Sequence, residues 1–169
     1  MSSTTRKPLA IATLVLALGG TAAAQSNIDP ANSYAWGENI GWVNLYPSAT
    51  NGVVVTGDYL SGYAWGENVG WIFFGDGPDD GIAYTNTGTD HGVNNDGAGN
   101  LSGYAWGENI GWILFDTTVV GASQVTVDMT SGDFNGYAWG ANVGWIDFGT
   151  NTSVSFLPST GVGAWSLYD

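Results

Sequence analysis

Cysteine is absent, and basic residues number two, Arg6 and Lys7, against 15 acidic ones in 169 residues. Without a thiol there is no disulfide, no cysteine nucleophile and no thiolate ligand for zinc. A single histidine, His91, gives zinc no second imidazole and leaves any Ser-His-Asp triad resting on one residue. So few Lys and Arg cannot neutralise a row of phosphates, which excludes nucleic acid and anionic lipid as partners. No Gly-x-Ser-x-Gly elbow occurs, and after Lys7 no lysine remains for a phosphate loop. No apolar run approaches the roughly 20 residues of a membrane-spanning helix.

What is present begins with an export signal. Arg6 and Lys7 precede an apolar run from Leu9 to Leu18 and the small residues Ala22-Ala23-Ala24, so residues 1–24 read as a secretory signal peptide cleaved after Ala24. The mature chain, 25–169, then carries 15 acidic residues and no Lys or Arg. It is expected outside the cytoplasm, whether periplasmic, cell-surface or extracellular, as one domain long enough to bury its own core.

The 27 glycines and nine tryptophans are not scattered. The string Tyr34-Ala35-Trp36-Gly37-Glu38-Asn39-Ile40-Gly41-Trp42 recurs at 63–71, 104–112 and 137–145, and these four copies hold eight of the tryptophans. Val53-Val54-Val55-Thr56 and Val125-Thr126-Val127 precede the second and fourth copies, with Gly92-Val93-Asn94 before the third and a Gly/Asp turn after each. β-Branched residues suit strands and Gly or Asp suits turns, so each unit reads as about three short antiparallel strands. The expected fold is all-β: four tandem repeats, either stacked like a solenoid or closed into a propeller-like ring. Ser153-Val154-Ser155-Phe156 and Gly161-Val162-Gly163-Ala164-Trp165 echo the strands that the first copy lacks. An acidic insert at 75–90 separates the second and third copies, an expected surface excursion.

Period two puts Tyr34 and Trp36 on one side of their strand. In the next strand Trp42, Asn44 and Tyr46 oppose Val43 and Leu45. Both faces then carry apolar groups, which predicts packing neighbours on both. Eight tryptophans bring about 1,200–2,000 Å² of surface, more than the roughly 300–600 Å² patch that a monomer exposes, so most are expected in the core. Those left outside are the candidate ligand-binding residues, drawn from Trp36, Trp42, Trp65, Trp71, Trp106, Trp112, Trp139 and Trp145.

Asn39, Asn68, Asn109 and Asn142 stand in every copy and are expected to hold the turn and to tolerate positive φ there. Glu38, Glu67 and Glu108 give way to Ala141 in the fourth copy, a poor match to the asymmetric carboxylate pair of a glycosidase. Calcium is the candidate cofactor, with Asp76, Asp79, Asp80, Asp90 and Asp96 as candidate ligands, although their spacing is not that of an EF-hand. Strands of four to seven residues would be too short for an outer-membrane barrel, which needs about 9–11.

Gly103 to Ile113, Gly-Tyr-Ala-Trp-Gly-Glu-Asn-Ile-Gly-Trp-Ile, resembles a repeat of uncharacterised exported bacterial proteins. The likeness spans most of the mature chain and implies no activity. A fainter similarity to choline-binding and MORN hairpin repeats implies stacked hairpins. The combined expectation is a non-catalytic module that adheres to neutral glycan or another extracellular polymer. The alternative is a self-associating structural protein of a cell-surface filament or matrix.

Overall fold

The computed structural model describes residues 25–154. The signal peptide expected at 1–24 and the C-terminal echo past Val154 lie outside the described residues. Twelve strands follow one another, with no α-helix among the described residues: β1 (Ile28–Gly37), β2 (Gly41–Asn44), β3 (Val54–Val55), β4 (Tyr59–Gly66), β5 (Gly70–Gly75), β6 (Val93–Asn95), β7 (Leu101–Gly107), β8 (Gly111–Leu114), β9 (Thr126–Val127), β10 (Phe134–Asn135), β11 (Tyr137–Gly140) and β12 (Gly144–Val154). One 3-10 turn, Thr117–Val120, lies between β8 and β9.

Each copy of the repeat is a hairpin in the same register: Ala35 faces Val43, Trp36 faces Trp42 and Gly37 faces Gly41 in β1–β2, and β4–β5, β7–β8 and β11–β12 match it. Ile40 N–H closes the turn onto the Gly37 carbonyl at 3.3 Å, and Gly41 then sits at φ +75°, a conformation that costs little only for glycine. The equivalent residues Gly70, Gly111 and Gly144 take the same sign of φ. Positive φ at the turn asparagines is therefore not found; the following glycine supplies it.

Neighbouring hairpins pair side by side. Asn44 faces Trp65, Phe73 faces Trp106, Leu114 faces Trp139 and Asp147 faces Trp36, so the ring β2-β1-β12-β11-β8-β7-β5-β4 closes through β2–β4 into an eight-stranded antiparallel barrel. Neither a face-to-face stack nor a set of radial blades results. The edges of every hairpin are used up laterally by the next hairpin, and β3 and β6 are too short to build separate blades. The third strand of the unit survives only as these short pieces, with β3 on β4, β6 bridging β4 and β7, and β9 on β10. As the C-terminal echo suggested for its described part, β12 runs on to pair with β1, Val154 opposite Ile28.

The inside is filled in layers. Ile40, Val69, Ile110 and Val143 seal the hairpin-tip end; the next layer sets Ala35, Ala64, Ala105 and Ala138 across from Val43, Ile72, Ile113 and Ile146, all buried. Above them lie Leu45, Phe74, Phe115 and Phe148, with the Phe115 ring 5.6 Å from Phe74 and 5.3 Å from Phe148. An eight-stranded barrel is just wide enough for side chains to fill, and small Ala opposite branched residues meets that limit. β1, β4 and β12 have 10, 8 and 11 residues, longer than expected, yet an apolar interior is the reverse of the polar lumen of an outer-membrane barrel.

The repeat asparagines act between units. Asn39 Nδ2 donates to the Val143 carbonyl, Asn142 to Ile110, Asn109 to Val69 and Asn68 to Ile40, each at 3.0 Å. Four identical bonds thus run head to tail around the tip end and close the circle. These bonds tie one hairpin to the next, whereas the sequence pointed to a bond within each turn.

The 75–90 insert is pinned by Tyr84, a buried residue whose Oη donates to the Leu60 carbonyl at 3.0 Å and accepts from Gly77 N–H at 2.8 Å. Burial pushes its phenol pKa well above the ordinary range. Replacing Tyr84→Phe leaves the Leu60 and Gly77 groups unpaired and is expected to cost about 1–3 kcal/mol at pH 7 in urea unfolding. A folded-state pKa raised above the unfolded one gives stability that is complete below about pH 10 and is lost as pH rises through the folded value. The gap between wild type and Tyr84→Phe should therefore narrow above about pH 10.

Candidate functional site

The outer surface of the barrel is aromatic. Trp36, Trp42, Trp65, Trp71, Trp106 and Trp112 keep 38–48% of their surface exposed, with Tyr34, Tyr63, Tyr104 and Tyr137 beside them also exposed. The expectation that most repeat tryptophans form the core is overturned. Alternation turns Ala and Ile inward and Tyr and Trp outward, and the interior has no volume left for indoles. Among the described residues no second layer covers the outer face, as its two apolar sides had suggested; the rings shelter one another instead.

That sheltering is regular. Trp36 meets Trp42 at 4.8 Å and 68°, Trp65 meets Trp71 at 4.9 Å and 67°, and Trp106 meets Trp112 at 4.6 Å and 59°. Tyr34, Tyr63 and Tyr104 extend these pairs with rings 6.0–6.1 Å from Trp42, Trp71 and Trp112. Facing cross-strand positions bring the rings together, and edge-to-face contact contributes about 0.5–1.5 kcal/mol per pair beyond area burial. In the fourth hairpin Trp139 and Trp145 are half-buried, and the excursion from Asp116 to Val125 crosses this side: Thr117 Oγ1 donates to the Tyr137 carbonyl.

Ten partly exposed aromatic rings present on the order of 600–1,000 Å² of apolar surface around the ring, above what a monomer usually shows. Two hollows interrupt this girdle. One, about 470 Å³, lies where β12 meets β1 and is lined by Trp36, Glu38, Ala122, Tyr137, Trp145 and Asp147. The other, about 210 Å³, lies among Phe73, Thr89, His91, Tyr104, Trp106 and Trp112. There the His91 ring packs 4.8 Å from Trp112, and its Nε2 lies 2.9 Å from the Gly88 carbonyl oxygen.

The candidate calcium ligands are not gathered. Asp80 accepts from the N–H groups of Ile82 and Ala83, Asp90 from that of Thr85, and Asp96 from the Asn100 side chain and the Ala98 N–H, while Asp76 and Asp79 stay exposed. Those bonds hold the carboxyls of Asp80, Asp90 and Asp96 below the usual carboxylate range. Their oxygens serve local turns. Among the described residues no three His, Asp or Glu side chains converge as a metal site.

Sequence reasoning missed Asp147 and the girdle tyrosines. The signal for Asp147 was available, since the residue two past the second Trp of each copy is Asn44, Phe73, Leu114 and Asp147, and only the last is charged. Comparison with family models, curated proteins and solved structures finds no match to this chain.

Proposed function

We propose that the chain is an exported, non-catalytic binding module that takes neutral glycan chains on its aromatic girdle. The observation that carries this reading is the exposure of Trp36, Trp42, Trp65, Trp71, Trp106 and Trp112 in matched pairs around a closed barrel. Flat apolar ring faces suit the C–H faces of sugars, and Asn44, Glu67 and Glu108 at the rim offer partners for hydroxyls. Similar sites repeated around one barrel favour a polymer, because a second contact by one chain is intramolecular. Self-association into a filament draws less support, since ring closure leaves the eight barrel strands without a free edge.

Titration of intrinsic fluorescence with soluble neutral polysaccharides tests the reading. A saturable shift with at least one polymer is expected, weakened about tenfold or more by the double variant Trp42→Ala/Trp71→Ala. No shift with any polymer, or a shift indifferent to those substitutions, would overturn it.

A further inference from the structure

The closing seam between β12 and β1 differs from the other three seams in charge. Two outward positions flank each seam: the residue two past the second Trp of one hairpin, and the turn residue after the Trp-Gly of the next. At β2/β4 these are Asn44, which faces Trp65, and Glu67; at β5/β7 they are Phe73, which faces Trp106, and Glu108; at β8/β11 they are Leu114, which faces Trp139, and Ala141. Only at the closing seam are both residues acidic: Asp147, which faces Trp36, and Glu38, whose N–H donates to the Trp145 carbonyl at 3.2 Å, and both line the larger hollow.

The rest of the lining is Trp36, Trp145 and Tyr137, with the small Ala122. Asp147 Oδ1 accepts one bond, from Gly149 N–H at 2.8 Å. Among the described residues there is no Lys or Arg to answer either carboxylate. A hydrated divalent ion is a poor occupant, because it needs six or more oxygen ligands and ring faces offer none. A neutral sugar would leave the carboxylates without a counter-charge. An alkylated ammonium group fits both features, since its charge is spread over apolar methyls that rest on ring faces while the carboxylates balance it. A volume of about 470 Å³ suits a small molecule, and a formal charge of −13 draws cations to the surface.

We propose that this seam is a binding site for an organic ammonium ion, which shares Trp36 with the glycan girdle but does not rest on that reading. The test is an NMR titration of the full exported chain with tetramethylammonium chloride, against sodium chloride at equal ionic strength and against tert-butanol as a neutral counterpart of similar shape. Saturable shifts of the Trp36 and Trp145 indole N–H signals are expected with tetramethylammonium alone. Asp147→Asn and Glu38→Gln should each weaken binding by about fivefold or more, while Glu67→Gln and Glu108→Gln leave it unchanged. Polysaccharide binding should survive Asp147→Asn. Three results would each overturn the proposal: no saturable shift, an equal response to tert-butanol, or equal losses from all four carboxylate substitutions.

Discussion

Ala105→Glu is expected to cost at least about 4 kcal/mol, while Tyr104→Glu, one residue earlier, costs about 1–2 kcal/mol. Ala105 is fully buried on the inward side of β7, facing Ile113, and Tyr104 is 38% exposed on the outward side. A carboxylate at 105 would enter a space lined by Ala, Ile and Phe, with no Lys or Arg among the described residues to pair with it. Removing an unpaired charge from water can consume most of the 5–15 kcal/mol that holds a domain folded, so Ala105→Glu should lose its cooperative transition. At 104 the carboxylate stays in solvent, and the loss is that of one ring against Trp112. Urea unfolding of both variants decides which face is inside; equal costs would contradict the barrel.

The second large effect is at Gly136, where substitution by Ala is expected to cost at least about 3 kcal/mol. Gly136 has φ +85°, and a Cβ there would overlap the carbonyl oxygen of Gln124. Gly62 and Gly103 share the sign of φ and the same kind of collision, with the carbonyls of Gly52 and Gly92. At these positions, just ahead of the repeat Tyr, the incoming segment crosses close against the barrel strand. Gly57→Ala is the control: nothing lies within 4 Å of its added carbon, and it should change stability by about 0.5 kcal/mol or less. A mild effect at Gly136, measured in the same unfolding assay, would mean that the crossing is looser than described.

The fold was legible in part. Repetition, strand content and the faces of Tyr34, Trp36, Val43 and Leu45 follow from spacing alone, because side chains alternate with period two. Which face is interior did not follow, since hydrophobicity ranks Trp with the core while the decisive quantity is volume. The constant Ala between Tyr and Trp in all four copies was the available clue: a residue held small in every unit marks a crowded interior. Barrel closure was hidden because it depends on pairings such as Asp147 with Trp36, residues at opposite ends of the chain. The invariant Asn announced a structural role, but its acceptor lies in another hairpin, and local reasoning placed it in its own turn. Of the candidate site, the tryptophans were expected to be mostly buried, and six of the eight are exposed. The grouping of acidic residues in sequence did not carry over to space: Asp80, Asp90 and Asp96 are spent on N–H groups two to five residues away, and Asp76 and Asp79 are exposed.

Hydroxyl-radical footprinting with residue-level mass spectrometry tests the outward girdle most directly, with each rate compared to that of the same residue in the urea-unfolded chain. Trp36, Trp42, Trp65, Trp71, Trp106 and Trp112 are expected to label at an appreciable fraction of their unfolded rates, while Phe74, Phe115 and Phe148 are strongly protected. Protection of those tryptophans equal to that of the phenylalanines would place the indoles inside and contradict both the barrel's facing and the binding surface built on it.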